Sequence, residues 1–183
     1  TYTCNAGDIP ADHWIQDPQR GGGRIIGEAC HFIDLLVFLA GAKVKRVSAA
    51  MVGEASPVRT DKMTITVLFD DGSVGNVNYF ANGAKSFPKE RLDVFSDGRV
   101  FNLDNFRKLT GFGVNGFKGF KTMRQDKGHA VEFAAFVNRV RQGGDPLIPL
   151  DELVNVTLAS FAAMTAAAEN RTVDLDNEYG ALL

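Results

Sequence analysis

Apolar side chains occupy nearly every position of one segment near the start of the chain. From Arg24 to Leu39 the residues are good helix formers, and Gly41 stands where a helix would close. A helix that is apolar almost all round belongs in the interior of a protein. We therefore predict a buried helix over 24–39, preceded by an ordered, turn-rich connection over residues 1–23.

Alternating positions dominate the middle of the chain. Apolar residues recur at every second position from Met63 to Phe69, which is the period of a β-strand. Asp-Gly pairs at 71–72 and 97–98 indicate hairpin turns, because glycine tolerates the positive φ of a tight turn. The pattern predicts an antiparallel meander with strands over Val44–Met51, Lys62–Phe69, Ser73–Phe80, and Arg91–Phe95 continuing to Arg99–Leu103.

The last part of the chain returns to helical spacing after an irregular stretch. Gly111–Met123 is rich in Gly and Phe without a stable period, so we predict a mobile loop there. Apolar residues recur on one face over Lys127–Gln142, and Asp151 is placed to cap a second helix that runs to about Glu169. Thr172–Leu175 is expected to add an edge strand.

The order helix, strands, helices contains no alternating βαβ units and predicts an α+β fold. We expect a mostly antiparallel open sheet with helices packed on one face. Leu68 and Val74 place apolar side chains on the opposite face from Ile65 and Val77, so that second face needs cover. It is therefore available for oligomerisation.

Composition narrows the functional classes. The chain has 183 residues with 45% hydrophobic positions, which suits one domain, and its 20 basic and 22 acidic residues leave a net charge of -2. No stripe of Lys and Arg is interleaved with aromatics, which makes nucleic acid an improbable partner, and no apolar run is long enough to span a bilayer. Cys4 and Cys30 form neither a disulfide framework nor a metal-ligand spacing, so we expect a soluble, metal-free protein of the reducing cytoplasm.

Four polar side chains interrupt the first predicted helix. Arg24, Glu28, His31 and Asp34 follow one another at offsets that place them on one stripe of an α-helix. One interpretation is structural: Arg24 pairs with Glu28, and Asp34 bonds nearby backbone. The functional interpretation makes His31 a general acid/base, because its ring titrates near neutrality, with Glu28 orienting it or balancing its charge.

The segment GGGRIIGEACHFIDLLVFLAG, residues 21–41, follows NAGDIPADHWIQDP, residues 5–18. Together they resemble the start of the C-terminal domain of the glucose-fructose oxidoreductase and inositol dehydrogenase family (Gfo/Idh/MocA). The layout of the whole chain, 1–183, is compatible with that domain.

The resemblance implies a two-domain enzyme whose N-terminal Rossmann domain binds NAD or NADP and supplies a catalytic Lys from an EKP motif. Neither is present in this chain, which also lacks an initiator Met, so we expect the natural chain to begin further upstream. His31 matches the family histidine and Asp34 a frequent acidic residue. At Gly27 the family often has Asp, and the acidic residue is displaced here to Glu28.

The reaction implied by the resemblance is hydride transfer between a sugar, sugar derivative or cyclitol and the nicotinamide. His31 and Glu28 are the candidate catalytic residues, and Arg24, Asn5, Trp14 and Asp34 are candidate substrate contacts. Trp14 would form an apolar wall, with burial in the core as its alternative. The resemblance also implies a homo-oligomer that assembles through the sheet.

Two other functions fit the same residues. In the first, the domain is a non-catalytic ligand-binding or interaction module, the polar stripe serves structure and the open sheet is the functional surface. In the second, Glu28 and His31 work together in a cofactor-independent isomerase or hydrolase. A deep enclosed pocket around that pair would favour the second, whereas an open face at the start of the helix favours a missing nucleotide-binding domain.

Overall fold

One mixed sheet organises the computed structural model, which describes residues 1–53 and 61–182. In space the nine strands found there run in the order β8-β7-β6-β5-β1-β4-β3-β2-β9. Neighbouring strands are antiparallel except β1 and β4, which run parallel. The strands are β1 Tyr2–Asn5, β2 Val44–Met51, β3 Lys62–Phe69, β4 Val74–Phe80, β5 Glu90–Ser96, β6 Arg99–Asp104, β7 Lys108–Phe112, β8 Gly119–Lys121 and β9 Val173–Asp174.

Helices cover one face of this sheet. The chain contains a 3₁₀ helix at Trp14–Gln16, a π-helix at Ile25–Ala29, and the α-helices α1 Cys30–Ala40, α2 His129–Gln142, α3 Leu150–Glu169 and α4 Leu175–Tyr179. Helix α3 packs on β2, and α1 packs on α3 and β4. The predicted α+β fold, with a mostly antiparallel sheet and helices on one face, is confirmed.

The core follows from the alternation in the strands. The side chains of Met63, Ile65 and Val67 are fully buried under the helices, and Val77 from β4 joins them. Complete burial of such a side chain stabilises a fold by about 1.5–3 kcal/mol. Because the period of a strand is two, the intervening residues must emerge on the other face of the sheet.

That second, open face is polar at its centre. Thr64 and Asn78 are hydrogen-bonded across strands at 3.1 Å, and Thr66 and Asn76 at 2.9 Å. The apolar residues expected on this face lie beside this ladder, where Val74 is 60% exposed. The centre of the open face is therefore a row of Thr and Asn side chains, with apolar positions at its margin.

Three local predictions were incomplete or wrong. Residues 24–39 do not form one α-helix, because the segment begins as a π-helix and becomes α-helical at Cys30. The mobile loop predicted over Gly111–Met123 is wrong, since that stretch contains the end of β7 and all of β8. Strand β1 lies in a segment predicted to be a connection. Strand β7 was not predicted either. The remaining strands, including β9 at the edge, lie within two residues of their predicted bounds.

Helix α2 is present as predicted, but its apolar face is uncovered. None of its residues is buried, and Phe133 and Phe136 are 68% and 59% exposed. Together with Val137 and Val140 they form a continuous stripe, which we call the α2 stripe. Among the described residues, no helix is long and apolar enough to cross a membrane.

Candidate functional site

The π-helix places the polar residues of the first predicted helix. A π turn takes more residues than an α turn, so side chains spaced for an α-helix no longer lie on one line. The single stripe expected from α-helical spacing is divided in two. Arg24 and Glu28 turn inward toward the sheet, while His31 is exposed and Asp34 is half-buried.

Arg24 is the most deeply buried of the four, at 2% exposure. Its Nε donates to Glu28 Oε1 at 3.1 Å, and its Nη1 and Nη2 donate to the carbonyls of Gly7 and Ala6 at 2.7 and 3.2 Å. The guanidinium also lies over the ring of Tyr79, 5.3 Å from its centroid. A buried cation is tolerated when it is fully paired, as Arg24 is here.

Glu28 is the centre of this buried network. Its Oε2 accepts a 2.7 Å hydrogen bond from the Tyr79 hydroxyl. Burial alone would raise the pKa of Glu28, but the hydrogen bonds from Arg24 and Tyr79 outweigh it and hold the pKa below its usual value. Burial, followed by the hydrogen bond to Glu28, raises the pKa of Tyr79. Glu28 is therefore a carboxylate and Tyr79 a neutral phenol at physiological pH.

His31 and Asp34 take no part in the hydrogen bonds of that network. Burial raises the pKa of Asp34, and the nearby His31 opposes the shift without cancelling it. The next residue, Phe32, stacks on Tyr2 with ring centroids 4.3 Å apart, and its ring centroid lies 6.1 Å from that of Tyr79. The exposed residue His31 is therefore next in sequence to a stacked aromatic layer, formed by Tyr2, Phe32 and Tyr79, and lies near a half-buried acid.

A second buried charge, which the sequence reasoning missed, adjoins this layer. Glu90 is 3% exposed, and Lys127 Nζ lies 2.9 Å from its Oε1 and 2.8 Å from its Oε2. Lys127 also lies over the ring of Phe106, 5.4 Å from its centroid. Burial and then the charge of Glu90 raise the pKa of Tyr2. No signal in the sequence pairs these residues, because the strand and the start of α2 meet only in the fold.

Asn5 and Trp14 are the remaining residues predicted to contact a substrate. Asn5 donates to the carbonyls of Ala84 and Phe87 at 2.8 and 3.3 Å and so ties down the β4–β5 connection. Trp14 is 51% exposed in the 3₁₀ helix, so its alternative role as a core residue is wrong. Its role as an apolar wall and the substrate contact of Asn5 stay predictions.

The chemistry open to this site is proton transfer. Nucleophilic catalysis by a thiolate is disfavoured, because burial raises the pKa of Cys4 to about 11 and also raises that of Cys30. Arg24 and Glu28 form hydrogen bonds with each other and with the protein. His31 is the exposed side chain here of the type that most often serves as a general acid or base.

A family model and several solved structures match this chain. A family model described as the GFO/IDH/MocA C-terminal domain matches residues 1–99. A search of the curated proteins found no match.

Solved structures match at low identity. A probable dehydrogenase from Thermotoga maritima has a TM-score of 0.72 at 20% identity, covering 96% of this chain and 56% of that one. An oxidoreductase from Agrobacterium radiobacter, in complex with NAD⁺, L-tartaric acid and magnesium, has a TM-score of 0.69 at 19% identity. That match covers 100% of this chain and 56% of the other. Levoglucosan dehydrogenase, in complex with NADH and levoglucosan, has a TM-score of 0.77 at 21% identity. That match covers 94% of this chain and 57% of the other. At these identities the likeness shows the fold alone, and the chain spans a little over half the length of each.

Proposed function

Because the chain belongs to the GFO/IDH/MocA C-terminal domain family, we propose that it is the substrate-binding and oligomerisation domain of an oxidoreductase. The complete enzyme would use NAD or NADP and act on a sugar, sugar derivative or cyclitol. The observation that carries the proposal is the placement of His31. His31 is exposed at the start of α1 and is next in sequence to Phe32, whose ring stacks on Tyr2.

His31 would be the general acid/base of the reaction. When bound, the nicotinamide accepts or returns the hydride, and the redox chemistry belongs to it. His31 would accept the proton of the substrate hydroxyl during oxidation and return it during reduction. Asp34 lies one helical turn further on, close enough for its charge to interact with His31.

Glu28 and Arg24 would position the segment that carries His31. Arg24 holds the carbonyls of Ala6 and Gly7, and Glu28 joins Arg24 to Tyr79 in β4. The side chain of Glu28 keeps 30% of its surface exposed, which leaves it able to contact a substrate hydroxyl. We propose that this pair fixes the position of the π-helix, and so of His31, relative to the sheet.

A separate nucleotide-binding domain would supply the cofactor site and a catalytic Lys. Three observations support it. The GxGxxG run of the sequence, residues 111–116, lies between strands β7 and β8 and does not join a strand to a helix, as a nucleotide-binding turn does. The matched solved structures, two of which are described with NAD⁺ or NADH, are longer than this chain. The α2 stripe is exposed, and a large uncovered apolar stripe is typical of a surface that packs against another domain.

The open face of the sheet would join copies of the protein. Its Thr and Asn ladder offers hydrogen-bonding groups over several strands, and Val74 and Phe95 leave apolar side chains 60% and 73% exposed beside it. We propose a homo-oligomer through this face. We also place the protein in the cytoplasm, a proposal supported by the absence of a disulfide between Cys4 and Cys30.

A non-catalytic binding module is the second candidate, favoured by one observation. The hydrogen bonds of Glu28 go to Arg24 and Tyr79, so the acidic partner proposed for His31 is already engaged in structure. The isomerase or hydrolase alternative has less support, because His31 is exposed instead of lying in an enclosed pocket with Glu28.

The test is to express the complete reading frame that encodes this chain and to assay it with NAD⁺ and with NADP⁺. A panel of aldoses, anhydrosugars, sugar acids and inositols would be screened for reduction of the nicotinamide at its absorbance maximum. Cofactor reduction with a polyol confirms the oxidoreductase. A reading frame with no GxGxxG turn between a strand and a helix and no EKP motif outside residues 1–183, whose product neither binds NADH nor reduces NAD(P)⁺, would leave the binding module as the function.

A further inference from the structure

A cationic cavity lies at the far end of the sheet, on a part of the molecule that the proposed reaction does not use. Its volume is about 500 Å³. Three separate segments line it: the β4–β5 connection, the β6–β7 turn and strand β8. The charged side chains in its wall are Lys85, Lys89, Arg107, Lys108 and Lys121, with Asp104 as the acid among them.

The strand register forces two of these cations together. Lys108 in β7 stands directly opposite Lys121 in β8, on the same face of the sheet. Like charges at opposed positions of a β-ladder destabilise the pair. Asp104 is opposite Lys108, but Arg91 stands opposite Asp104 on its other side. Hence the row of aligned residues contains more positive than negative charge; its members are Arg91, Asp104, Lys108 and Lys121.

Protein groups do not neutralise the excess. Among residues 1–53 and 61–182, none of the five cations forms an ion pair within 4 Å. Arg107 uses one Nη2 hydrogen bond, 3.1 Å long, on the carbonyl of Met123. Lone lysines at a surface are ordinary, but five convergent cations around one concavity create a focused positive potential.

The walls of the cavity are held in place by the fold. Asn5 anchors the β4–β5 connection through the carbonyls of Ala84 and Phe87. In the β6–β7 turn, Asn105 and Phe106 have φ values of 50° and 51°, a conformation that side chains other than glycine rarely adopt. The ring of Phe106 packs against the core and under Lys127, which holds the turn in that conformation.

We propose that this cavity is a binding site for a phosphate-type dianion, either inorganic phosphate or the phosphate group of a small metabolite. Arg107 offers a planar fork for two oxygens, and the lysines add point charges around it. The volume lies within the range of small-ligand sites and exceeds what a bare ion needs. The site is distinct from His31 and does not depend on the proposed oxidoreductase activity.

The test measures binding of inorganic phosphate to the 183-residue chain by titration calorimetry at constant ionic strength, with chloride as the reference anion. We expect saturable binding of one phosphate per chain and a rise in Tm that chloride does not reproduce. The double variant Lys108→Ala/Lys121→Ala should bind at least about tenfold more weakly, since one charge-assisted hydrogen bond is worth about that factor. The matched control is Lys118→Ala, a lysine of the same hairpin that does not line the cavity, and it should bind normally.

A second variant separates binding from folding. Lys121→Glu places an acid opposite Lys108, so it should keep or raise the Tm in chloride while the response to phosphate is lost. Glucose 6-phosphate distinguishes the two sources: tighter binding than inorganic phosphate assigns a phosphorylated metabolite, and equal affinity assigns the free ion. Equal effects of phosphate and chloride, or phosphate binding unchanged in the Lys108→Ala/Lys121→Ala variant, would overturn the proposal.

Discussion

The hydroxyl of Tyr79 donates a 2.7 Å hydrogen bond to the carboxylate of Glu28. This bond joins the start of the functional helix to the middle of the sheet, and it engages the acid that sequence spacing assigns to His31. Because Arg24 binds the same carboxylate from the other side, the three residues form one closed polar unit under the π-helix.

Removing the charge of Glu28 should weaken the fold. In Glu28→Gln the buried guanidinium of Arg24 loses its counter-ion, so we expect a loss of about 2 kcal/mol in the free energy of unfolding, measured by urea denaturation. Tyr79→Phe removes one hydrogen bond and keeps the ion pair, so it should cost about 1 kcal/mol. Equal stability of Glu28→Gln and the unchanged chain would mean that the Arg24–Glu28–Tyr79 unit does not support the fold.

The same carboxylate should make stability depend on pH. The pKa of Glu28 is lowered in the folded state, so its charge stabilises the fold fully above the unfolded pKa of about 4.3. That contribution is lost as the pH falls through the lower, folded-state pKa. The difference in unfolding free energy between the unchanged chain and Glu28→Gln should therefore be constant near neutrality and shrink below about pH 4.3. A difference that grows on acidification contradicts the assigned direction.

Gly27 should accept a side chain. Its φ is not in the left-handed region, it lies on the exposed side of the π-helix, and an added Cβ would come no closer than 3.7 Å to Ile15. Gly27→Ala should therefore stabilise the chain by about 0.5–1 kcal/mol.

The matched control for that substitution is Gly75→Ala. The Cβ there would lie 2.8 Å from Val67 and 2.9 Å from Leu36, so the change should destabilise by about 1–3 kcal/mol through overpacking. Thermal unfolding should show a higher Tm for Gly27→Ala and a lower Tm for Gly75→Ala than for the unchanged chain. If Gly27→Ala destabilises as Gly75→Ala does, the π-helix is not packed as described.

The parts of the fold that the sequence predicted are those governed by local rules. Strands over 44–51 and 62–69 were predicted at both ends, because one-sided burial enforces a period of two. Strand β1 is four residues long and lies between partners distant in sequence, so no local signal marks it. Strand β8 is short and begins with a glycine whose φ is 134°, which conceals its period.

The sequence predicted the candidate site only in part, because part of its geometry does not follow from local spacing. The residues Arg24, Glu28, His31 and Asp34 do share one segment, but α-helical spacing misplaced them relative to one another because the segment begins as a π-helix. Glu90 and Lys127 meet only through tertiary packing. The cationic cavity escaped the sequence reasoning because its lysines come from three segments, and no single run is strongly basic.

Substitutions in the α2 stripe should leave the folding stability of this chain nearly unchanged. Phe133→Gln/Phe136→Gln should change the free energy of unfolding by no more than about 0.5 kcal/mol, since both rings are exposed, and should reduce binding of a hydrophobic dye. Val131→Gln, 74% exposed on the opposite side of the helix, is the control and should leave dye binding unchanged. A loss above about 1 kcal/mol in the double variant would mean that the stripe packs on the core of this chain in solution.

The most direct test of the central claim compares His31→Asn with His129→Asn in the product of the complete reading frame. Both histidines are exposed, so neither change should alter Tm. The account predicts that His31→Asn lowers kcat for polyol oxidation by about 10²–10⁴, the usual contribution of general acid–base catalysis, while His129→Asn leaves it unchanged. A kcat for His31→Asn within a factor of about three of the unchanged enzyme would contradict the assignment of His31 as the catalytic acid/base.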